Sequence, residues 1–189
     1  MGVFLLVLLV VVAFWVVGAY NGLIALKNQV ANAWKQIDVQ LKRRHDLIPN
    51  LVNAVKGQMD FERGTLEAVI SARAKALSVT GVAATAKAEG ELTQALGKLF
   101  ALAESYPDLK SSANVLQLQQ ELSSTENQIG AARQVYNDTA TQYNTKQAQF
   151  PTNLVAGLAQ ATPSELWEIT EAAERDVPKV DFGRGEPGA

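Results

Sequence analysis

"VLQLQQELSSTENQIGAARQVYNDTATQYNTKQAQF", residues 115–150, sets Val115, Leu122, Ile129, Tyr136, Tyr143 and Phe150 at a strict seven-residue interval. Seven residues fall slightly short of two full turns of α-helix, so these side chains form one slowly drifting stripe. A stripe this long predicts a long helix packed nearly antiparallel to its neighbours at coiled-coil-like angles. Leu118 and Ala132 occupy an intervening row, which Thr125, Thr139 and Lys146 dilute. Pro151 ends the pattern, because it lacks an amide hydrogen and crowds the preceding turn.

Working outward, the same spacing recurs. Toward the N-terminus, Leu92, Leu96, Leu99 and Ala103 predict a shorter helix ending at "SYPDLK". Before it, Leu66, Val69, Ile70, Arg73 and Leu77 form another stripe, which dissolves in "SVTGVAATA", a small-residue turn region. Earlier still, Leu23, Val30, Trp34, Ile37, Leu41, Ile48, Val52, Val55 and Met59 predict one long helix. Toward the C-terminus, Thr162-Pro163-Ser164-Glu165 has the form of a helix start, predicting a helix through Trp167 and Ile169 to about Glu174. The glycine- and proline-rich "VPKVDFGRGEPGA" is expected to be extended, then disordered.

The beginning of the chain sets its class. "MGVFLLVLLVVVAFWVVGAYNGLIAL" holds no charged side chain before Lys27. The apolar run from Val3 to Ala19 reaches roughly 25 Å as a helix, and extension to Leu26 covers a hydrocarbon core of roughly 30 Å. Phe14, Trp15 and Tyr20 suit an interfacial aromatic belt. A cleaved signal would need a basic n-region and a small-x-small site; the run is preceded by no basic residue, and "GAYN" cleaves poorly. A single-pass anchor is expected, continuing into the next helix with Tyr20-Asn21-Gly22 as its softest point. Lys27 and Lys35 follow the span, so the positive-inside rule leans the large domain toward the cytoplasm.

The expected fold is therefore all-α: an N-terminal transmembrane helix, then an elongated antiparallel helical bundle of about four helices. The divisions are an anchor over 1–22, a bundle over 23–175 and a tail over 176–189. A net charge of −2, with 19% charged residues, offers no global field for nucleic acid. The absence of cysteine removes disulfides and thiolate metal sites.

One stretch interrupts the bundle pattern with polarity. "IDVQLKRRHDLIPNLV", residues 37–52, holds three consecutive cations, the single histidine and Pro49. Inside a helix Pro49 strips the His45 carbonyl of its amide partner, at about 3 kcal/mol. Asp46 as N-cap of a restarted helix would relieve this, and Arg43, Arg44 or Asn50 could donate to the freed carbonyls. Asp38 is expected to pair with Lys42. Counting sevens from Val30 through Ile37 lands on Arg44 and then Leu51, so an arginine occupies a seam row. It must snorkel outward or find a buried acceptor, Glu121 or Glu126, although Thr125-Glu126-Asn127 reads better as surface. The cations read chiefly as a solvated face or as intramolecular salt-bridge partners serving this junction, with a charged partner or self-association surface as the alternative. Lys42 lies about 33 Å along a straight helix from Tyr20, too far for the adjacent bilayer.

No catalytic or cofactor motif appears, and a lone histidine excludes a histidine cluster for metal within one chain. No cofactor or nucleic acid is expected, and no small-molecule substrate is identifiable.

Three linked stretches, "YNGLIALKNQVANAWKQIDVQLKRRHDLIPNLVNAVKG", "ALGKLFALAESYPDLKSSANVLQLQQELSSTENQIGAARQVYNDTATQYNT" and "FPTNLVAGL", resemble the LemA family of bacterial membrane proteins. The resemblance implies a bacterial cell-membrane location, a small exterior N-terminus and a long α-helical bundle; it carries no catalytic residues. Gln58-Met59-Asp60-Phe61 departs from the family pattern, as does the short tail after Leu158. The functional expectation is a non-enzymatic, membrane-anchored scaffold or adaptor. It would meet lipid through residues 1–22 and a protein partner or further copies of itself through its helices. The alternatives are an accessory factor in membrane organisation or remodelling, and an undetected hydrolase or metal enzyme.

Overall fold

A computed structural model describes residues 1–56 and 62–168. Six helices follow in order: α1 (Gly2–Lys56), α2 (Arg63–Ser78), α3 (Val82–Ala103), α4 (Pro107–Ser111), α5 (Ala113–Ala148) and α6 (Asn153–Ala156). Four are long; α4 and α6 are single turns at the two ends of α5. No strand occurs among the described residues.

The axis of the molecule is α1, about 80 Å long at the usual rise. It passes through Tyr20-Asn21-Gly22 without a break, so the apolar segment and the bundle are one element. Residues up to Gly22 bury almost nothing, whereas Leu23, Val30, Ile37, Leu41, Ile48, Leu51 and Val55 are all buried. The first part is long and apolar enough to cross a membrane.

α5 packs antiparallel along the buried stripe of α1, and α2 and α3 pair as a hairpin beside them. The seven-residue row of α5 faces inward from Val115 through Tyr143, as its spacing predicts. Its last member departs: Phe150 lies beyond the helix and is 79% exposed.

Two apolar cores result. The distal one joins all four long helices, with Ile48, Leu51, Val69, Leu92, Leu99 and Leu122 among its buried members. The proximal one, nearer the apolar segment, is mainly α1 and α5, closed by Ala159 and Trp167.

Three expectations are corrected. The small-residue run after Ser78 is not a long turn: Gly81, at φ +90°, makes the bend and α3 begins at Val82. Only glycine takes such a backbone angle without strain, so the turn is confined to one point. In α2, Ile70 and Leu77 face solvent while Leu66, Val69 and Ala76 are buried. The inward stripe is instead the one that carries Arg73 toward α1.

Residues 161–168 are not helical either. They form a strap running back along α5, fastened by side chains in place of a helical ladder. Asn144 donates to the Ser164 carbonyl and accepts from the Ser164 amide, at 2.9 and 2.8 Å. Asn137, one heptad earlier, does the same for Trp167 at 2.9 and 2.8 Å. Tyr136 donates its hydroxyl to the Glu165 carbonyl at 2.7 Å. These bonds satisfy backbone groups that a helix would have paired internally. Burial of the Trp167 indole against Trp34 and under the Arg133 guanidinium completes the strap. The expected helix beyond Glu168, the tail, Met59 and the Gln58–Phe61 departure lie outside the described residues.

Candidate functional site

Between the two cores lies a polar layer to which every long helix contributes. Arg44 occupies the seam row of α1 and is 2% exposed. From its buried position the guanidinium reaches across the bundle in two directions. Nη1 meets Glu126 of α5 at 2.6 Å, and Nη2 donates to the Thr93 hydroxyl at 2.7 Å and the Glu89 carbonyl at 3.2 Å, both on α3. The Glu89 carboxylate stands 3.7 Å from Nη1. That carboxylate is 4% exposed, and its other oxygen accepts from His45 Nε2 at 2.8 Å. One buried cation thus sits between two carboxylates, with an imidazole bonded to the deeper one.

The freed backbone carbonyl is served from a fourth helix. α1 runs through Pro49 without restarting, so the His45 carbonyl has no amide donor from position 49. Arg73 Nε of α2 donates to it at 2.8 Å. A proline that costs a hydrogen bond within one helix thereby creates an attachment point for another.

Each residue of the sequence-derived set can now be placed. Arg44, His45 and Pro49 belong to the layer. Arg43 and Asn50 face solvent and donate to neither freed group. Asp46 caps nothing, because the helix does not restart; its carboxylate pairs with Lys42 at 2.7 Å. The Lys42 hydrogen bond holds that carboxyl below its ordinary range, slight desolvation at the exposed group opposes this, and the charges of Lys42, Arg73 and His45 assist. Lys42 is therefore not the partner of Asp38. Asp38, largely exposed, lines a cleft, and partial desolvation there pushes its carboxyl upward. That cleft, about 380 Å³, opens between α1, α2 and α3 and is floored by His45, Thr85 and Glu89.

Of the two acceptors considered for Arg44, Glu126 takes the role, while Glu121 accepts from Gln117. Thr125 is fully buried, bonded back to the Glu121 carbonyl at 2.8 Å, so the Thr125-Glu126-Asn127 triplet is not simple surface. Glu89 is absent from the set read from sequence, and Arg73 appears there only as a member of a stripe, with no role at the junction. The signal for Glu89 was present: Thr85, Glu89, Leu92, Leu96, Leu99 and Ala103 follow four-three spacing, which puts a glutamate in the seam of α3.

The family model of the LemA family matches residues 33–182, which takes in the whole layer. The chain belongs to the LemA family. Protein LemA of Metamycoplasma hominis is 32% identical over 166 residues, spanning 87% of this chain and 75% of that protein. Magnetosome proteins MamQ 1 and MamQ 2 of Paramagnetospirillum magneticum are each 21% identical over 184 residues, spanning 84% of this LemA-family chain and 68% of theirs.

Burying ions costs several kcal/mol apiece, and even a good ion pair about offsets that loss. Arg44 joins α1 to α3 and α5, while its Nε and the second Glu89 oxygen are buried without a hydrogen bond. Among the described residues no group of three histidine, aspartate or glutamate side chains could hold a metal ion.

Proposed function

We propose that this LemA-family protein is a membrane-anchored helical scaffold or adaptor that presents a fixed surface to a protein partner or to further copies of itself. The observation that carries the reading is the continuity of α1 from the apolar segment to the end of the bundle. With no hinge between them, whatever docks on the bundle is held at a set distance along the rod from the bilayer. The polar layer supports this, since its register prevents the helices from sliding under load. A groove of about 510 Å³ between α1 and α5 offers a place for such docking. Its exposed Val39 and Val135 are flanked by Lys35, Gln36 and Gln128. The proposed mode is non-enzymatic, because Arg44, Arg73, Glu89 and Glu126 are engaged with one another and with the backbone.

Crosslinking with mass spectrometry in native membranes tests the proposal, and recurrent crosslinks from Lys35 or Lys42 to one partner or a second copy are expected. A strict monomer in mild detergent that also captures no partner overturns it. We further place the bundle on the cytoplasmic side, from Lys27 and Lys35 just past the span. Labelling of those lysines by a membrane-impermeant reagent on intact cells would reverse that assignment.

A further inference from the structure

The antiparallel register of α1 and α5 locates the far end of α5 relative to the bilayer. Arg44 meets Glu126, and ten residues earlier on α1 Trp34 meets Tyr136 with ring centroids 5.4 Å apart. Each step back along α1 is therefore matched by one step forward along α5. Carried on at equal rise, the same register sets Ile24 level with Lys146 and Gly22 level with Ala148, where α5 ends two residues before Phe150. Tyr20 belongs to the aromatic end of the apolar segment, where a span of about 20 residues reaches the interface.

Two further observations fall at that level. Residues 147–164 carry no charged side chain, and neither does the chain up to Leu26. The first cations beyond these uncharged runs, Lys27 on α1 and Lys146 on α5, are both exposed at nearly the same height. Within the uncharged turn, Phe150, Leu154 and Leu158 are 79, 67 and 71% exposed, while Val155 and Ala159 anchor the turn to the core. Three large apolar side chains pointing away from a folded, uncharged apex require a covering. Here the neighbouring medium at their height is lipid.

We propose that the 150–158 turn is a second membrane contact. Phe150, Leu154 and Leu158 dip into the interfacial region beside the anchor, and Lys27 and Lys146 extend to anionic headgroups. Two points of attachment would hold the rod upright where a lone helix could pivot. The inference needs only the anchor and does not depend on the scaffold reading.

The chain contains no cysteine, so single cysteines introduced at 150, 154 or 158 can each take one nitroxide label. The test uses full-length protein in vesicles of phosphatidylethanolamine and phosphatidylglycerol, with labels at positions 39 and 135 for comparison. Both comparison sites are exposed apolar residues, Val135 roughly 22 Å further up the rod. Labels at 150, 154 and 158 are expected to relax more with oxygen than with a water-soluble nickel chelate, and those at 39 and 135 the reverse. Equal access of the chelate to all five positions overturns the proposal. So does shielding of the three from both reagents together with label–label broadening, which would mean that a second copy covers them.

Discussion

The two halves of the rod solve the same packing problem with different means. Distal to the polar layer, four helices enclose a core of leucine, isoleucine and valine, and aliphatic spacing is enough to fill it. On the proximal side only α1 and α5 continue as long helices, and two helices cannot enclose a core. There the interior is filled by Trp34, Tyr136, Tyr143 and Trp167, and the open side is closed by a non-helical strap. Fewer elements demand larger side chains, and larger side chains with polar edges bring directional bonds. The proximal half is accordingly stitched by asparagine and tyrosine to backbone, whereas the distal half is mainly greasy contact.

The layer between them offers the largest effect. Arg44→Met leaves Glu89 buried without its cation, and chemical denaturation should show a loss of about 3–5 kcal/mol, felt in both halves. Replacing Arg44, Glu89 and Glu126 together by apolar residues should restore most of that stability. If the triple variant also keeps a single helix register by crosslinking, the layer is not what sets the register.

Trp167→Ala tests the independence of the proximal half. A cost of about 3–5 kcal/mol is typical for a buried tryptophan. It should appear as faster hydrogen exchange in 159–168 and the end of α5, with Leu92 and its neighbours protected as before. Uniform loss of protection would show that the two cores unfold as one.

A double-mutant cycle isolates the proline junction. Arg73→Ala should cost about 1–3 kcal/mol with Pro49 present, because the His45 carbonyl is left without a donor. In a Pro49→Ala background the helix supplies its own amide and the same change should cost far less. Equal costs in the two backgrounds would sever the link between Pro49 and Arg73.

The smallest effect is a pH dependence confined to one side. Burial pushes the hydroxyls of Tyr136 and Tyr143 upward, helped at Tyr136 by the Glu165 charge. Unfolded tyrosines ionise first, so stability is intact below the ordinary value of about 10 and declines as pH rises through the folded ones. Tryptophan emission should report loosening at the strap before helical signal falls in the distal half.

The long helices were legible because periodicity is a local property of the chain. The rows of α1 and α5 need no knowledge of partners, and counting sevens placed an arginine in the seam before any neighbour was known. The layer was only half legible for the same reason. Arg44 and Glu126 could be matched along two recognised helices, but Glu89 lies between the small-residue stretch 78–86 and the stripe that begins at Leu92. Arg73 was noted as part of a stripe whose direction only packing could decide. The strap was misread since Thr162-Pro163-Ser164-Glu165 satisfies the local rules for a helix start, while Asn137, Asn144 and Trp34 offered its backbone a stronger set of contacts from a distance.

Sequence alone determined that this is an all-helical chain with an apolar N-terminal span, a seam interrupted by charge and a proline that orphans a carbonyl. Those features follow from side-chain spacing and from the missing amide of one residue. Tertiary structure decided which groups answer them: Glu89 and Glu126 for Arg44, Arg73 for the His45 carbonyl, and Asn137 and Asn144 for the strap. It also decided that α5 ends level with Gly22, at the foot of the apolar segment. Such pairings join residues tens of positions apart, and only the register of packed helices brings them within bonding distance.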